Sequence, residues 1–194
     1  MVAEGGVRPE DEAEEERDER QLDAETRARR QLALAQIRQY PDAVLRMRAR
    51  EVESFDDDLA RLAEKMKHLM HDARGVGLAA TQVGVLQRLF VFQREGDEEA
   101  TAVVNPEIAE RSRDTETLDE GCLSLQGVLV PVERAVEVTL TGQGVGGEPV
   151  RLELEEMDAR VVQHELDHLD GVLMLERTDE DSRKDALATL RRRL

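Results

Sequence analysis

The sequence predicts an α+β fold, with antiparallel or mixed β-sheets packed around a central helix that carries a metal-ligand pair. Three observations point there. Two stretches, near residues 55–73 and 157–169, place apolar residues at three- and four-residue spacing, as a one-sided helix requires. Four strand-like runs, at 86–93, 101–105, 135–141 and 150–155, are split by gaps of hairpin size, which favours antiparallel pairing. The second helix also holds His164-Glu165-Leu166-Asp167-His168, two imidazoles four residues apart and therefore on one helical face.

Taken in order, the chain opens on an acidic segment. Residues 1–24 carry ten acids against three bases. So little apolar surface cannot offset the entropy of ordering, so residues 1–24 are expected to form a disordered arm ahead of a single domain over 25–194. Residues 24–39, rich in Arg, Ala, Gln and Leu, suit a helix or a charged lead-in that Tyr40-Pro41-Asp42 stops. Ser54 stands three before Asp57, an acidic version of a capping box, and opens the helix over 55–73. Its apolar face is Leu59, Leu62, Met66, Leu69, Met70 and Ala73. Residues 75–84 are too glycine-rich for a helix interior and lead into the strands. After the helix over 157–169, Gly171 is placed to end it, and 177–194 reads as a charged turn and a short helix.

Composition narrows the function. A net charge of −17 argues against general binding to nucleic acid or an anionic membrane, and no specific DNA contact is expected. No apolar run approaches the ~20 residues of a membrane span, and the acidic N-terminus has no signal-peptide core. One cysteine, Cys122, excludes an internal disulfide and fits a reducing cytoplasm. Aromatic residues are only 2%, so the core is expected to be built from Leu, Val, Ala and Met.

The chemistry centres on His164 and His168. Neutral imidazoles can hold a cation, the cation lowers the pKa of its water toward ~7, and the carboxylate of Glu165 stands beside them to take the proton. A third ligand decides the class. Where metzincin proteases place a third histidine, this chain has Met174. Glu176 and Glu180, candidates for a thermolysin-like ligand, precede only a short charged tail, and His68 and His71 lie on the upstream helix. Cys122 is the remaining soft donor, and one thiolate with two imidazoles is a sound tetrahedral set with one open position. Gly75-Val-Gly77-Leu-Ala-Ala80 fits the dinucleotide fingerprint in its letters. It follows a helix rather than a strand, which speaks against a nucleotide site.

Gly75-Val-Gly-Leu-Ala-Ala-Thr-Gln82, Glu120-Gly-Cys-Leu-Ser124 and Gln163-His-Glu-Leu-Asp-His168, in this order and at these separations, resemble the three signature motifs of the peptide deformylase family. The likeness runs from about residue 35 to 177. It implies a hydrolase that removes the formyl group from the N-terminal formyl-methionine of new proteins and releases formate. It further implies one divalent metal on Cys122, His164 and His168, with ferrous iron the usual ion and zinc, nickel or cobalt as alternatives.

By the same resemblance, Glu165 is the general base and then the acid, and the Gln82 side chain and the Leu123 N–H stabilise the oxyanion. Val76, Gly77 and Gly121 bind the peptide in strand-like fashion. Val161 and Met157, on the ligand face of the helix, are the candidates for a methionine slot. The expected partner is an N-formylmethionyl nascent chain. A transient ribosome contact has only the basic tip Arg191-Arg192-Arg193 to offer, and a monomer is expected. The chain departs from the pattern at Gln126, where a proline is common, and in 127–132, which lacks an arginine often found there. Arg134 is a candidate partner for Glu120.

Overall fold

The computed structural model describes residues 24–192, so the expected arm up to residue 23, together with Arg193 and Leu194, lies outside the described residues, and Ala24 already belongs to a helix. The described residues begin with helix α1, Ala24–Leu34, which packs on the longer α2, Asp57–Asp72. Then follow strands β1 (Gly77–Ala79), β2 (Leu89–Phe92), β3 (Thr101–Arg111), β4 (Thr115–Glu120), β5 (Val130–Ala135), β6 (Glu137–Gln143) and β7 (Pro149–Glu155). Helix α3, Glu156–Leu169, and helix α4, Glu180–Arg191, complete the order. Five strands form one antiparallel sheet in the order β1-β2-β3-β6-β7, and β4-β5 form a separate hairpin pair. The expected α+β arrangement is present, and α3 lies across both β1–β2 and β5–β7.

Helix α2 starts two residues later than its periodicity suggests, and its cap is Asp56 rather than Ser54. The Asp56 carboxylate accepts from Leu59 N–H at 3.0 Å, satisfying one of the donors that every helix N-terminus leaves open. Its C-terminus closes in a Schellman motif, with Gly75 N–H donating to Met70 O and Arg74 N–H to His71 O. Arg74 therefore holds the left-handed position (φ 60°) that usually falls to glycine, at a cost of roughly 1–2 kcal/mol. Helix α3 ends the same way, and here the left-handed residue is Gly171. A Cβ on Gly171 would lie 2.7 Å from Arg46 O, so glycine is required both for φ and for space.

Helix α1 stops at Leu34, short of Tyr40-Pro41, because residues 35–40 are drawn across the later loops. Arg38 N–H donates to Gln82 O (2.7 Å), Tyr40 N–H to Ser124 O (2.9 Å) and the Gln39 amide to Leu123 O (3.0 Å). Strand β3 runs well past Asn105 because that residue, at φ 48°, sits where the β3–β6 register shifts. Its side chain pairs with the Val52 backbone in both directions, at 2.8 and 2.9 Å.

Strand β4 is nearly all polar (Thr-Glu-Thr-Leu-Asp-Glu) and exposed except at Glu120, so no alternating pattern betrays it. The core differs from expectation in one respect: Phe90 and Phe92 are fully buried alongside Leu, Val, Ala and Met. They pack with Val161, Val162 and Leu169 of α3, which fixes that helix against the sheet.

Candidate metal centre and active site

Cys122 follows β4 by two residues and opens a turn closed by Leu125 N–H to Cys122 O at 3.0 Å. His164 and His168 reach the same point from α3, with ring centroids 4.9 Å apart. One donor atom of each of the three residues lies within 4.8 Å of the others, and Cys122 Sγ is 3.2 Å from His168 Nε2. These separations are compatible with one ion among the three atoms, and one sulfur with two nitrogens suits zinc or ferrous iron. His164 Nδ1–H donates to Glu120 Oε2 at 3.0 Å, which fixes the tautomer and turns Nε2 toward the cluster. His68 and His71 sit exposed on α2, and Met174 is buried in the core, so none joins the group.

Glu165 lies under β1. A Cβ on Gly77 would come within 2.8 Å of Glu165 Cδ, so the carboxylate occupies the space that only glycine leaves. Glu165 Oε2 is buried and makes no hydrogen bond among the described residues, an atom set to serve a group other than the protein. Burial pushes this carboxyl up to about 7, although the charge on His164 pulls it the other way.

Gln82 sits in the 3-10 turn Ala80–Val83. Its Oε1 accepts from Ala79 N–H (2.8 Å), and its Nε2 donates to Ser124 Oγ (3.1 Å) and toward Cys122 Sγ (3.6 Å). The amide is thus oriented from the carbonyl side with its NH2 facing the cluster. Leu123 follows the cysteine directly, its own carbonyl held by Gln39.

Val76 O accepts from Gln93 N–H, so by strand alternation the N–H and C=O of Gly77 face away from β2, on the open edge of the sheet. Gly121, Val161 and Met157 line the same cavity of about 690 Å3 as Gly77, Cys122 and Glu165. Val161 is buried at its floor, and Met157 is half exposed at its rim.

A charged network beneath the cluster was largely hidden in the sequence. Arg134 of β5 forms a two-pronged pair with Glu120 (3.0 and 3.0 Å) and reaches Asp167 at 2.6 Å. Arg160 adds a second cation to Glu120 at 2.8 Å, and Arg177 pairs with Asp167 at 2.5 and 3.0 Å. Burial alone would raise the Glu120 carboxyl. Hydrogen bonds from His164 and Arg134 more than offset that and hold it at about 2. Arg160, His164 and Asp167 stand at i, i+4 and i+7 on α3, a polar stripe that was available as the signal.

Arg134→Met should strand two buried carboxylates and cost roughly 3–5 kcal/mol, or about 6–20 °C in Tm. Calorimetry checks this, and a loss below about 1 kcal/mol would mean that Arg160 and Arg177 suffice.

A part-buried cysteine–histidine cluster with an adjacent buried carboxylate, beside an open strand edge, has the make-up of a metal-dependent hydrolase site. A profile of the polypeptide deformylase family matches residues 34–184. Peptide deformylase 1 of Corynebacterium glutamicum is 44% identical over 162 residues, 82% of this chain and 96% of that protein. Peptide deformylase of Thermotoga maritima is 46% identical over 141 residues, 73% of this chain and 85% of its own length. Among solved structures, a peptide deformylase from Legionella pneumophila superposes with TM-score 0.76 at 39% identity, covering 80% of this chain and 92% of that one. The chain belongs to the polypeptide deformylase family, metal-dependent hydrolases that remove the formyl group from the N-terminal methionine of newly made proteins.

Proposed function

We propose that Cys122, His164 and His168 hold a single ferrous ion, with zinc, nickel and cobalt able to replace it, and that Glu165, Gln82 and Leu123 carry the deformylation. The observation behind this is the buried Glu165 carboxylate, lodged under Gly77 with one oxygen lacking a hydrogen-bond partner among the described residues, beside the three donors. An ion held by these three residues would supply Lewis acidity, lowering the pKa of a water molecule and polarising the formyl carbonyl. Glu165 takes the water's proton and returns it to the leaving amine. The Gln82 NH2 and the Leu123 N–H aim hydrogen at the oxygen on which charge develops.

The Gly77 backbone pairs with an extended peptide, with Val76 and Gly121 flanking it, while Val161 and Met157 close the methionine slot. The physiological partner is the formylated nascent chain, met in the cytoplasm by a monomer. Transient docking on the ribosome through the basic end of α4 at Arg191 and Arg192 belongs to the same proposal. Formate release from formyl-Met-Ala-amide by the ferrous protein tests the reading, and Cys122→Ser should abolish both metal retention and turnover.

Protons should compete with the metal. In the metal-free site burial opposes charge on His164, yet hydrogen bonds with Cys122 and Glu120 raise its pKa. His168, buried next to His164 and Arg134, is held low. One imidazole must therefore shed a proton to become a ligand, so zinc affinity should fall as pH drops through the raised His164 pKa. Titration calorimetry in two buffers of different ionisation enthalpy should show at least about one proton released per zinc. Zero release would exclude this donor set.

A further inference from the structure

The turn that carries Cys122 is tied down at three consecutive carbonyls. Cys122 O accepts from Leu125 N–H (3.0 Å), Leu123 O from the Gln39 side chain (3.0 Å) and Ser124 O from Tyr40 N–H (2.9 Å). Its N–H groups behave differently. Those of Ser124 and Leu125 turn inward, to Cys122 Sγ (3.4 Å) and Cys122 O, whereas Leu123 N–H donates to nothing among the described residues. In a trans peptide the N–H points opposite to the carbonyl before it, so pinning Cys122 O to Leu125 directs Leu123 N–H out of the turn.

Gln39 is the one side chain among these three braces, and its amide is fully used. Nε2 also donates to Ile37 O at 3.2 Å, and Oε1 accepts from Gln126 Nε2 at 3.0 Å. The bond from Gln126 settles which way the amide faces. A flipped amide would set its oxygen against the Leu123 and Ile37 carbonyls and its NH2 against that of Gln126. Proline, common in the family at position 126, has no side-chain donor to give. The residue before Gln39 serves the other oxyanion donor, because Arg38 N–H holds Gln82 O at 2.7 Å. Three successive residues, at most about 10 Å of chain, thus brace the loops of both Gln82 and Leu123.

We propose that Gln39, oriented by Gln126, is a positioning residue for deformylation: it sets the Leu123 turn so that the Leu123 N–H meets the developing oxyanion. This rests on the reading of Leu123 as an oxyanion donor. Gln39 therefore acts on the transition state and leaves substrate binding nearly untouched.

The test compares the full-length ferrous protein with its Gln39→Met variant on formyl-Met-Ala-amide, per folded, metal-loaded molecule, with Tm measured alongside. Methionine keeps the length of glutamine and removes both polar atoms. Losing a donor outright costs about 10²–10³-fold, and a donor that is present but misaimed costs less, here about 5–50-fold in kcat with KM changed less than about twofold. Gln39→Glu still accepts from Gln126 but sets a carboxylate against Leu123 O, so it should lose at least as much. Replacing the Leu123 amide by an ester, through the α-hydroxy analogue of leucine, deletes the N–H itself. In that protein Gln39→Met should cost no more than about twofold further, because residues that act as a unit are not additive.

An unchanged kcat in Gln39→Met overturns the proposal even if Tm falls, since that marks a purely structural bond. A loss carried by KM overturns it as well. So does a Gln39→Met loss that persists in full in the ester protein, which would place the effect away from Leu123. If the ester protein itself keeps full turnover, Leu123 is no oxyanion donor, and the reading beneath the proposal fails with it.

Discussion

Glu165→Gln should leave the metal in place and reduce turnover by about 10²–10⁴-fold, the range typical of a lost general base. The substitution keeps the shape that fills the space under Gly77, so fold and cleft survive. The stability effect has a definite sign. In the metal-free fold the carboxyl titrates at about 7 rather than 4.5. Its ionisation therefore opposes folding, and the cost grows as pH rises from 4.5 toward 7. The metal-free Gln variant lacks that cost and should melt no lower than the parent at pH 8. Metal content, turnover per metal and Tm together decide the matter. Loss of metal with full activity per remaining ion would make Glu165 a ligand instead.

Gln82→Leu should cut turnover by about 10²–10³-fold, the usual penalty for one oxyanion donor. Substrate binding should weaken less, because the interaction strengthens only as charge develops. The hydrogen bonds at Gln82 add a stability effect. Leucine leaves the Ala79 N–H without its acceptor and Ser124 without its donor, each costing roughly 1–3 kcal/mol where buried. Gln82→Glu restores the acceptor for Ala79 but turns a carboxylate toward Cys122, so it should be at least as inactive. Turnover must therefore be expressed per folded, metal-loaded molecule. A folded Gln82→Leu variant with full activity would remove Gln82 from the chemistry and confine it to the turn.

What could be read from the sequence follows from the range of the forces involved. The His164–His168 pair, the apolar face of α2 and the Gly171 stop are local, because helical geometry fixes which neighbours meet within a turn or two. Cys122 was identifiable as the third donor because it is the chain's one thiol and stands in a recognisable motif. The Asp56 cap was missed because Ser54 and Asp56 are both good caps, and only the backbone turn selects between them. Strand β4 was missed because its partner, not its own pattern, holds it in place.

The sequence by itself determined the α+β class, the histidine pair with its adjacent glutamate, and the motif set that marks the family. Only the tertiary structure decided that Glu120, beyond its expected partner Arg134, also gathers Arg160 and His164, 40 and 44 residues away along the chain. It alone decided that Gly77 clears space for Glu165, that residues 38–40 stitch the Gln82 and Cys122 loops together, and that α1 lines the cleft. The physical reason is the same throughout. Periodicity records what one element buries, whereas charge pairing and close approach depend on which distant element packs against it.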